Sequence, residues 1–233
     1  ATLTQNRLWK TLILKMCNYN SYFIAGPENI LPNHIVGNEN KQQALTRIVH
    51  KLALNGLNVF QLRAKNLNEN ETIQLLIDLK ASIKETNTKL CINDNVYVAS
   101  QTKDLVDILH LGQSDMNPEK AQSIIGNNTE IGLSITDESQ LDFIPKCVKY
   151  IGVGPIYNTN SKDDASKPIG EKRLREIILK TNLPVVAIGG ISLDNIKNLF
   201  ALGVSGVAVI SNILNQNDPL ENFHLLKNQI YKD

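Results

Sequence analysis

Short apolar runs recur along the chain from residue 21 onward: SYFIAG (21–26), NVFQLR (58–63), KLCIND (89–94), DILHLG (107–112), EIGLSI (130–135), VKYIGVG (148–154), PVVAIG (184–189) and GVAVIS (206–211). They are near-continuous rather than strictly alternating, the pattern of parallel strands buried on both faces. Helix-patterned segments lie between them. Residues 41–55 carry Ala44, Leu45, Ile48, Leu52 and Leu54. Residues 69–85 carry Ile73, Leu76, Ile77, Leu79 and Ile83 on one helical face. Asn70-Glu71-Thr72 and Thr136-Asp137-Glu138 set polar caps and acids near helix starts. A helix opening at Leu193-Asp194 should stop at Gly203. Eight strands, each followed by a helix, predict a single (β/α)8 TIM barrel over residues 21–233, with residues 1–20 as a short N-terminal extension. An open doubly wound sheet is the rival architecture.

The length of 233 residues suits one such domain. Apolar residues make up 42% and charged residues 20%, the composition of a soluble globular protein. The net charge is +1, from 24 basic and 23 acidic residues, which argues against nucleic acid as a partner because that needs a basic face. No apolar run reaches the roughly 18 residues that cross a bilayer, and LWKTLILKM (8–16) is broken by two lysines, so neither a membrane partner nor a signal peptide is expected. Cys17, Cys91 and Cys147 form no CxxC pair and read as reduced thiols of a cytoplasmic protein.

The chemistry gathers where the apolar runs end. Gln61, Arg63 and Lys65 are two apart and share a strand face running from the barrel interior to its mouth. A guanidinium can bridge phosphate oxygens with two parallel bonds, and a lysine adds a point charge. An internal salt bridge is the competing role for Arg63. Asp94 ends the third strand and Asp115 lies just past the fourth. Neighbouring strand ends are ~5 Å apart, so both carboxylates can reach one Mg²⁺, which completes its shell with water and substrate oxygens. Gly189-Gly190 and Ile210-Ser211-Asn212 end strands seven and eight, whose loops form the common phosphate site of barrels. The polar stretch Asn158 to Pro168 follows strand six and reads as a mobile lid. His110 reads as a hydrogen-bonded core histidine rather than a base.

The segments GPE (26–28), QLRAK (61–65), CIND (91–94), HLGQSD (110–115), GLS (132–134), YIGVGPIYNT (150–159), AIGGI (187–191) and GVAVIS (206–211) together resemble the thiamine-phosphate synthase family. The resemblance implies a (β/α)8 barrel. It implies a transferase that joins 4-amino-2-methyl-5-diphosphooxymethylpyrimidine to a thiazole phosphate, releasing diphosphate by a dissociative route with Mg²⁺ as cofactor. Carried over by position, Gln61 would contact the pyrimidine, and Arg63, Lys65, Asn93 and Ser134 its diphosphate. Asp94 and Asp115 would bind Mg²⁺, and Lys162 would close over the diphosphate. Thr159, Ser161, Gly190, Ile210 and Ser211 would hold the thiazole phosphate. Arg63, Lys65, Lys162 and Ser134 would be the catalytic groups. The partners implied are these small molecules; the sequence leaves homo-oligomer formation open.

The chain departs from the family pattern in places. Asn158 stands where proline is usual, and Ser161 where a second threonine is usual, keeping the hydroxyl. Ala64 and Ser114 replace glutamates that are not proposed ligands. Two alternatives share the fold. A thiazole tautomerase-like isomerase tends to place a histidine shortly after the strand-five serine, where this chain has Thr136. A non-catalytic phosphate-ligand-binding regulator would lack the metal carboxylates, and both aspartates are present here.

Overall fold

The computed structural model describes residues 19–159, 167–214 and 218–231. Its eight strands are β1 (Ser21–Ala25), β2 (Val59–Leu62), β3 (Lys89–Asn93), β4 (Ile108–Leu111), β5 (Glu130–Ile135), β6 (Val148–Val153), β7 (Val185–Ile188) and β8 (Gly206–Val209). Each pairs in parallel with its sequence neighbours, and β8 returns to β1 through Ser21↔Val207, closing the barrel. The closed (β/α)8 barrel is therefore the architecture, and the open sheet is not. Closure removes every free sheet edge. It also brings all eight C-terminal strand ends to one mouth.

Alternation along each strand divides the core in two. Outward residues such as Phe23, Phe60, Leu62 and Leu90 meet the helices in one large cluster. Inward residues form a smaller cluster with Tyr22, Ile24, Val59, Cys91, Ile108, Tyr150, Val186 and Ala208. The two inward glycines of β5 and β6 have a packing cause. A Cβ on Gly132 would sit 2.3 Å from Tyr150 Cζ, and one on Gly152 would sit 3.1 Å from His110 Cε1. The inward ring of Tyr150 on β6 thus requires glycine on neighbouring β5, and the ring of His110 on β4 requires it two strands away on β6. The floor of the barrel is closed by Tyr19, whose ring stacks on Tyr150 with centroids 4.6 Å apart. Its hydroxyl donates to Glu130 Oε2 at 2.8 Å, and Lys89 Nζ lies 2.6 Å from Glu130 Oε1.

The helices are α1 (Lys41–Leu54), α2 (Glu69–Ile83), α3 (Val96–Gln101), α4 (Pro118–Ile125), α5 (Gly170–Lys180), α6 (Ile196–Leu202), α7 (Ser211–Leu214) and α8 (Pro219–Tyr231). α1 and α2 occupy the segments that the 3.6-residue period predicts. α2 is capped two residues earlier than expected: Asn68 Oδ1 accepts from Glu71 N, and Glu71 Oε2 accepts from Asn68 N, a reciprocal box. α6 ends at Gly203 with φ 108°, as expected, but starts at Ile196, because Asn195 Oδ1 is turned back to accept from Ser192 N. The expectation of an α-helix after every strand fails after β5. Residues Glu138–Phe143 form a 3-10 helix there, capped by Asp137. This six-residue segment contributes no buried side chain, Phe143 is 83% exposed, and Pro145 follows. Without an apolar stripe to dock, a longer helix has nothing to hold it. Among the described residues no helix is long and apolar enough to cross a membrane.

Candidate active site

The mouth is built by adjacent loops that fasten one another. After β1, the Glu28 carboxylate accepts from Lys65 N at 3.0 Å, and Gly26 packs so closely that a Cβ would lie 2.3 Å from Arg63 O. The chain beyond β2 is thereby held against the chain beyond β1, and Arg63 N donates to Ala25 O at 3.0 Å. Gln113 Nε2, beyond β4, donates to Ser134 O at 2.7 Å. Beyond β6, Ile156 N donates to Ile188 O at 2.9 Å and Tyr157 N to Gly189 O at 3.1 Å. Gly190 adopts φ 65°, and its carbonyl accepts from Asn195 Nδ2 at 2.9 Å.

A recess of about 30 Å³ opens at the top of the barrel interior, lined by Tyr22, Gln61, Asn93, His110, Ser134 and Tyr150 among others. That is room for one water or one amino group, not for a ring. Three of the sequence-predicted residues, Gln61, Asn93 and Ser134, meet here. Gln61 is 2% exposed; its Nε2 donates to Tyr22 Oη at 3.1 Å and to Cys91 Sγ at 3.3 Å. Ser134 Oγ lies 2.9 Å from His110 Nε2, and His110 Nδ1 lies 2.8 Å from Tyr150 Oη. Tyr150 Oη is 2.8 Å from Tyr22 Oη. His110 is thus hydrogen-bonded through both nitrogens, as the sequence reading expects, and it lines the recess as well.

Burial keeps the phenols and the thiol of this network protonated. The Tyr22 and Tyr150 phenols are pushed well above the usual phenol range by burial first, then by the neighbouring Cys91. Burial also pushes the Cys91 thiol up to about 12, against smaller opposing contributions from its hydrogen bonds. All three keep their protons at neutral pH.

Charged groups surround this recess. Arg63 is half-buried and its guanidinium has no hydrogen-bond or ion-pair partner among the described residues, so the internal salt bridge is not formed there. Lys65 is exposed beyond it. Asp94 follows β3 with φ 60°, its amide donating to His110 O at 2.8 Å and its carboxylate accepting from Asn93 Nδ2. Asp115, in the next loop, accepts from Gly112 N at 2.6 Å through one oxygen. Among the described residues no cluster of three or more His, Cys, Asp or Glu side chains could hold a metal. A cation here would take two carboxylates and find its remaining oxygens in water and substrate, a set that suits Mg²⁺. On the opposite side of the mouth stand Thr159, Gly190, Ile210 and Ser211, all half-buried, with Ser211 opening α7. Ser161 and Lys162 lie outside the described residues.

Sequence reasoning passed over Glu28, Tyr22, Tyr150 and Cys91. The GPE segment carried Glu28 in plain sight, but its role needs Lys65 N, far along the chain. The tyrosines and the cysteine read as ordinary strand residues.

A closed parallel barrel with polar groups and a recess at its C-terminal mouth has the architecture of TIM-barrel enzymes, whose sites sit at that face. The model of the thiamine monophosphate synthase family matches residues 33–213. The chain is 32% identical over 226 residues to a thiamine-phosphate synthase of Lactococcus lactis subsp. cremoris, covering 94% of this chain and 98% of the relative. It is 39% identical over 178 residues to that of Vibrio campbellii, covering 75% and 85%. Its fold is similar to the thiamine phosphate pyrophosphorylase from Pyrococcus furiosus, with a TM-score of 0.77 and 26% identity over 92% of this chain and 96% of that one. The chain belongs to the thiamine monophosphate synthase family, and as a member it is a transferase.

Proposed function

We propose that this chain condenses 4-amino-2-methyl-5-diphosphooxymethylpyrimidine with a thiazole phosphate, giving thiamine phosphate and diphosphate. The observation that carries the reading is the grouping at one mouth of a small recess, Arg63 with no side-chain partner among the described residues, and two carboxylates in successive loops. The pyrimidine ring sits above the recess with its amino group directed down at Gln61. Arg63 and Lys65 meet the diphosphate, Arg63 by two parallel bonds. Asn93 and Ser134 supply further donors. Mg²⁺, held by Asp94 and Asp115, would offset the charge of the diphosphate oxygens.

The reaction asks little covalent chemistry of the protein. The C–O bond to diphosphate breaks and leaves a pyrimidinylmethyl cation; the thiazole nitrogen then donates its pair to that carbon. Arg63 and Lys65 stabilise the charge that grows on the leaving oxygens. Gly190, Ile210 and Ser211, with Thr159, hold the thiazole phosphate so that its nitrogen faces the cation, replacing a bimolecular encounter with a positioned one. The apolar wall of Ile24, Ile188 and Ala208 keeps water from the cation. Lys162 and Ser161 are assigned their roles over the diphosphate and the thiazole phosphate on family resemblance alone.

The test is direct. Purified protein with both substrates and Mg²⁺ should release diphosphate and form thiamine phosphate in equal amounts. Absence of product across a full Mg²⁺ titration refutes the reading.

A further inference from the structure

The ladder between β1 and β2 is finished by a side chain. Arg63 N donates to Ala25 O at 3.0 Å, one step past the pair Ala25↔Leu62. Rungs of one sense recur every second residue in a parallel ladder. The next would join Lys65 N to the carbonyl of Pro27. That carbonyl is taken: β1 turns into a 3-10 helix (Pro27–Asn29), and Pro27 O accepts from Ile30 N at 3.2 Å. Glu28 Oε1 stands in its place and accepts from Lys65 N at 3.0 Å. We infer that Glu28 is a positioning residue for the diphosphate seat, a side-chain rung that carries the strand face of Gln61 and Arg63 on to Lys65. The inference rests on the reading that Arg63 and Lys65 meet a diphosphate.

The turn holds this carboxylate still. Gly26 N donates to Asn29 Oδ1 at 2.8 Å, and Asn29 N donates to Gly26 O at 3.0 Å. Pro27 and Ile30 are buried and anchor the turn on both sides of Glu28. Gly26 leaves the carboxylate its path. A Cβ there would lie 2.4 Å from Glu28 Oε2 and 2.3 Å from Arg63 O. Its φ of −124° suits any residue, so room rather than conformation calls for the glycine.

Glu28 makes no ion pair with a lysine or arginine among the described residues. Its carboxylate is directed at a backbone amide beside the two cations, not at the cations themselves. It therefore orders the chain without taking up the charge that an anionic ligand needs. Arg63 has its own rung to Ala25 and does not depend on Glu28. Lys65 has Glu28 in place of a rung. With that acceptor gone, the amide turns to water and the lysine loses its direction. The role needs an acceptor oxygen at this reach; it does not need the negative charge. Glutamine supplies the same oxygen at the same reach, and aspartate falls one methylene short.

The test reads binding at the seat. By calorimetry with inorganic pyrophosphate and Mg²⁺, Glu28→Ala should weaken binding about tenfold, the scale of one hydrogen bond to a charged group. Glu28→Asp should lose a similar factor, and Glu28→Gln should bind as the wild type does. In turnover, Glu28→Ala should raise KM for the pyrimidine diphosphate and leave KM for the thiazole phosphate unchanged. In a Lys65→Ala background, adding Glu28→Ala should change pyrophosphate binding by a factor of about one. A loss in Glu28→Gln equal to that in Glu28→Ala overturns the role. So do equal rises in both KM values, or losses that add with Lys65→Ala. If Glu28→Ala does not fold, the contrast between Glu28→Asp and Glu28→Gln decides the matter. Thiamine phosphate formed by a protein whose pyrophosphate binding is indifferent to Glu28→Ala removes the positioning role alone. The expected binding losses without product remove the condensation alone. Pyrophosphate that does not bind the wild-type protein removes both.

Discussion

Asp94 occupies the left-handed region with φ 60°, alone among the described non-glycine residues. That backbone costs an L-residue roughly 1–2 kcal/mol, less for aspartate because its short polar side chain bonds locally, here by accepting from Asn93 Nδ2. Replacing Asp94 by alanine keeps the strain and removes the local bond. Replacing it by glycine removes both, at an unfolded-state entropy cost of roughly 0.5–1 kcal/mol. The glycine variant should therefore be the more stable of the pair by about 1 kcal/mol, or ~2–4 °C in Tm for a chain of this size. At an ordinary backbone position the order reverses, since Gly→Ala there stabilises by ~0.4–1 kcal/mol. The sign of the difference is thus the diagnostic quantity, read from urea unfolding of the two variants side by side. Both lack the carboxylate, so both should lose Mg²⁺-dependent turnover by on the order of 10²-fold. An alanine variant as stable as the glycine variant refutes the strain at this site. Full turnover in either removes Asp94 from the metal set.

Gly190→Ala puts a Cβ 2.5 Å from Asn158 O and 2.7 Å from Tyr157 Cβ, at φ 65°. It should raise KM for the thiazole phosphate more than KM for the pyrimidine diphosphate, with a Tm loss of several degrees from roughly 1–2 kcal/mol of backbone strain; equal KM changes refute the division of the mouth into two seats. Cys91 should resist iodoacetamide at pH 8 in the native protein and react on unfolding, as peptide mass spectrometry would read. Its folded pKa of about 12 exceeds the 9.0 of a free thiol. Its contribution to stability is therefore whole below pH 9 and declines as pH rises from 9 toward 12, because the unfolded chain loses the proton first. Rapid native alkylation refutes the burial.

The strands were legible because parallel strands buried on both faces write themselves as continuous apolar runs. Gln61 could be placed inside the barrel by parity alone, two residues before Arg63. The loss after β5 was also local, since Glu138–Phe143 has helix-compatible residues but no stripe to dock. What parity could not reveal is who meets across the barrel. Tyr22 and Tyr150 are 128 residues apart and touch through their hydroxyls, a contact set by barrel closure and by the glycines beside Tyr150. Glu28 lies 37 residues from the amide that it accepts from. The φ of Asp94 leaves no mark in the sequence either, since aspartate also serves at helix caps.

The polar interior has an energetic implication of its own. Barrel interiors are dominated by bulky branched aliphatic residues, and replacing both partners of a buried hydrogen bond by apolar groups of equal shape is nearly neutral or stabilising. Stability alone therefore does not call for two phenols, a thiol, an imidazole and an amide at the centre of this barrel. The floor beneath them is already closed by Tyr19, Glu130 and Lys89. The polar members sit between that floor and the mouth and reach the recess only through Gln61, Asn93, His110, Ser134 and the two phenols. A polar network that stability does not call for, placed beneath the mouth of the barrel, is best accounted for by what the mouth must recognise. Its tolerance to single cuts should then be asymmetric. Tyr22→Phe should move ring selectivity more than it moves Tm, whereas Phe60→Ala, in the outer core and fully buried beside Phe23, should cost about 3–5 kcal/mol of stability and leave selectivity unchanged in the protein that remains folded.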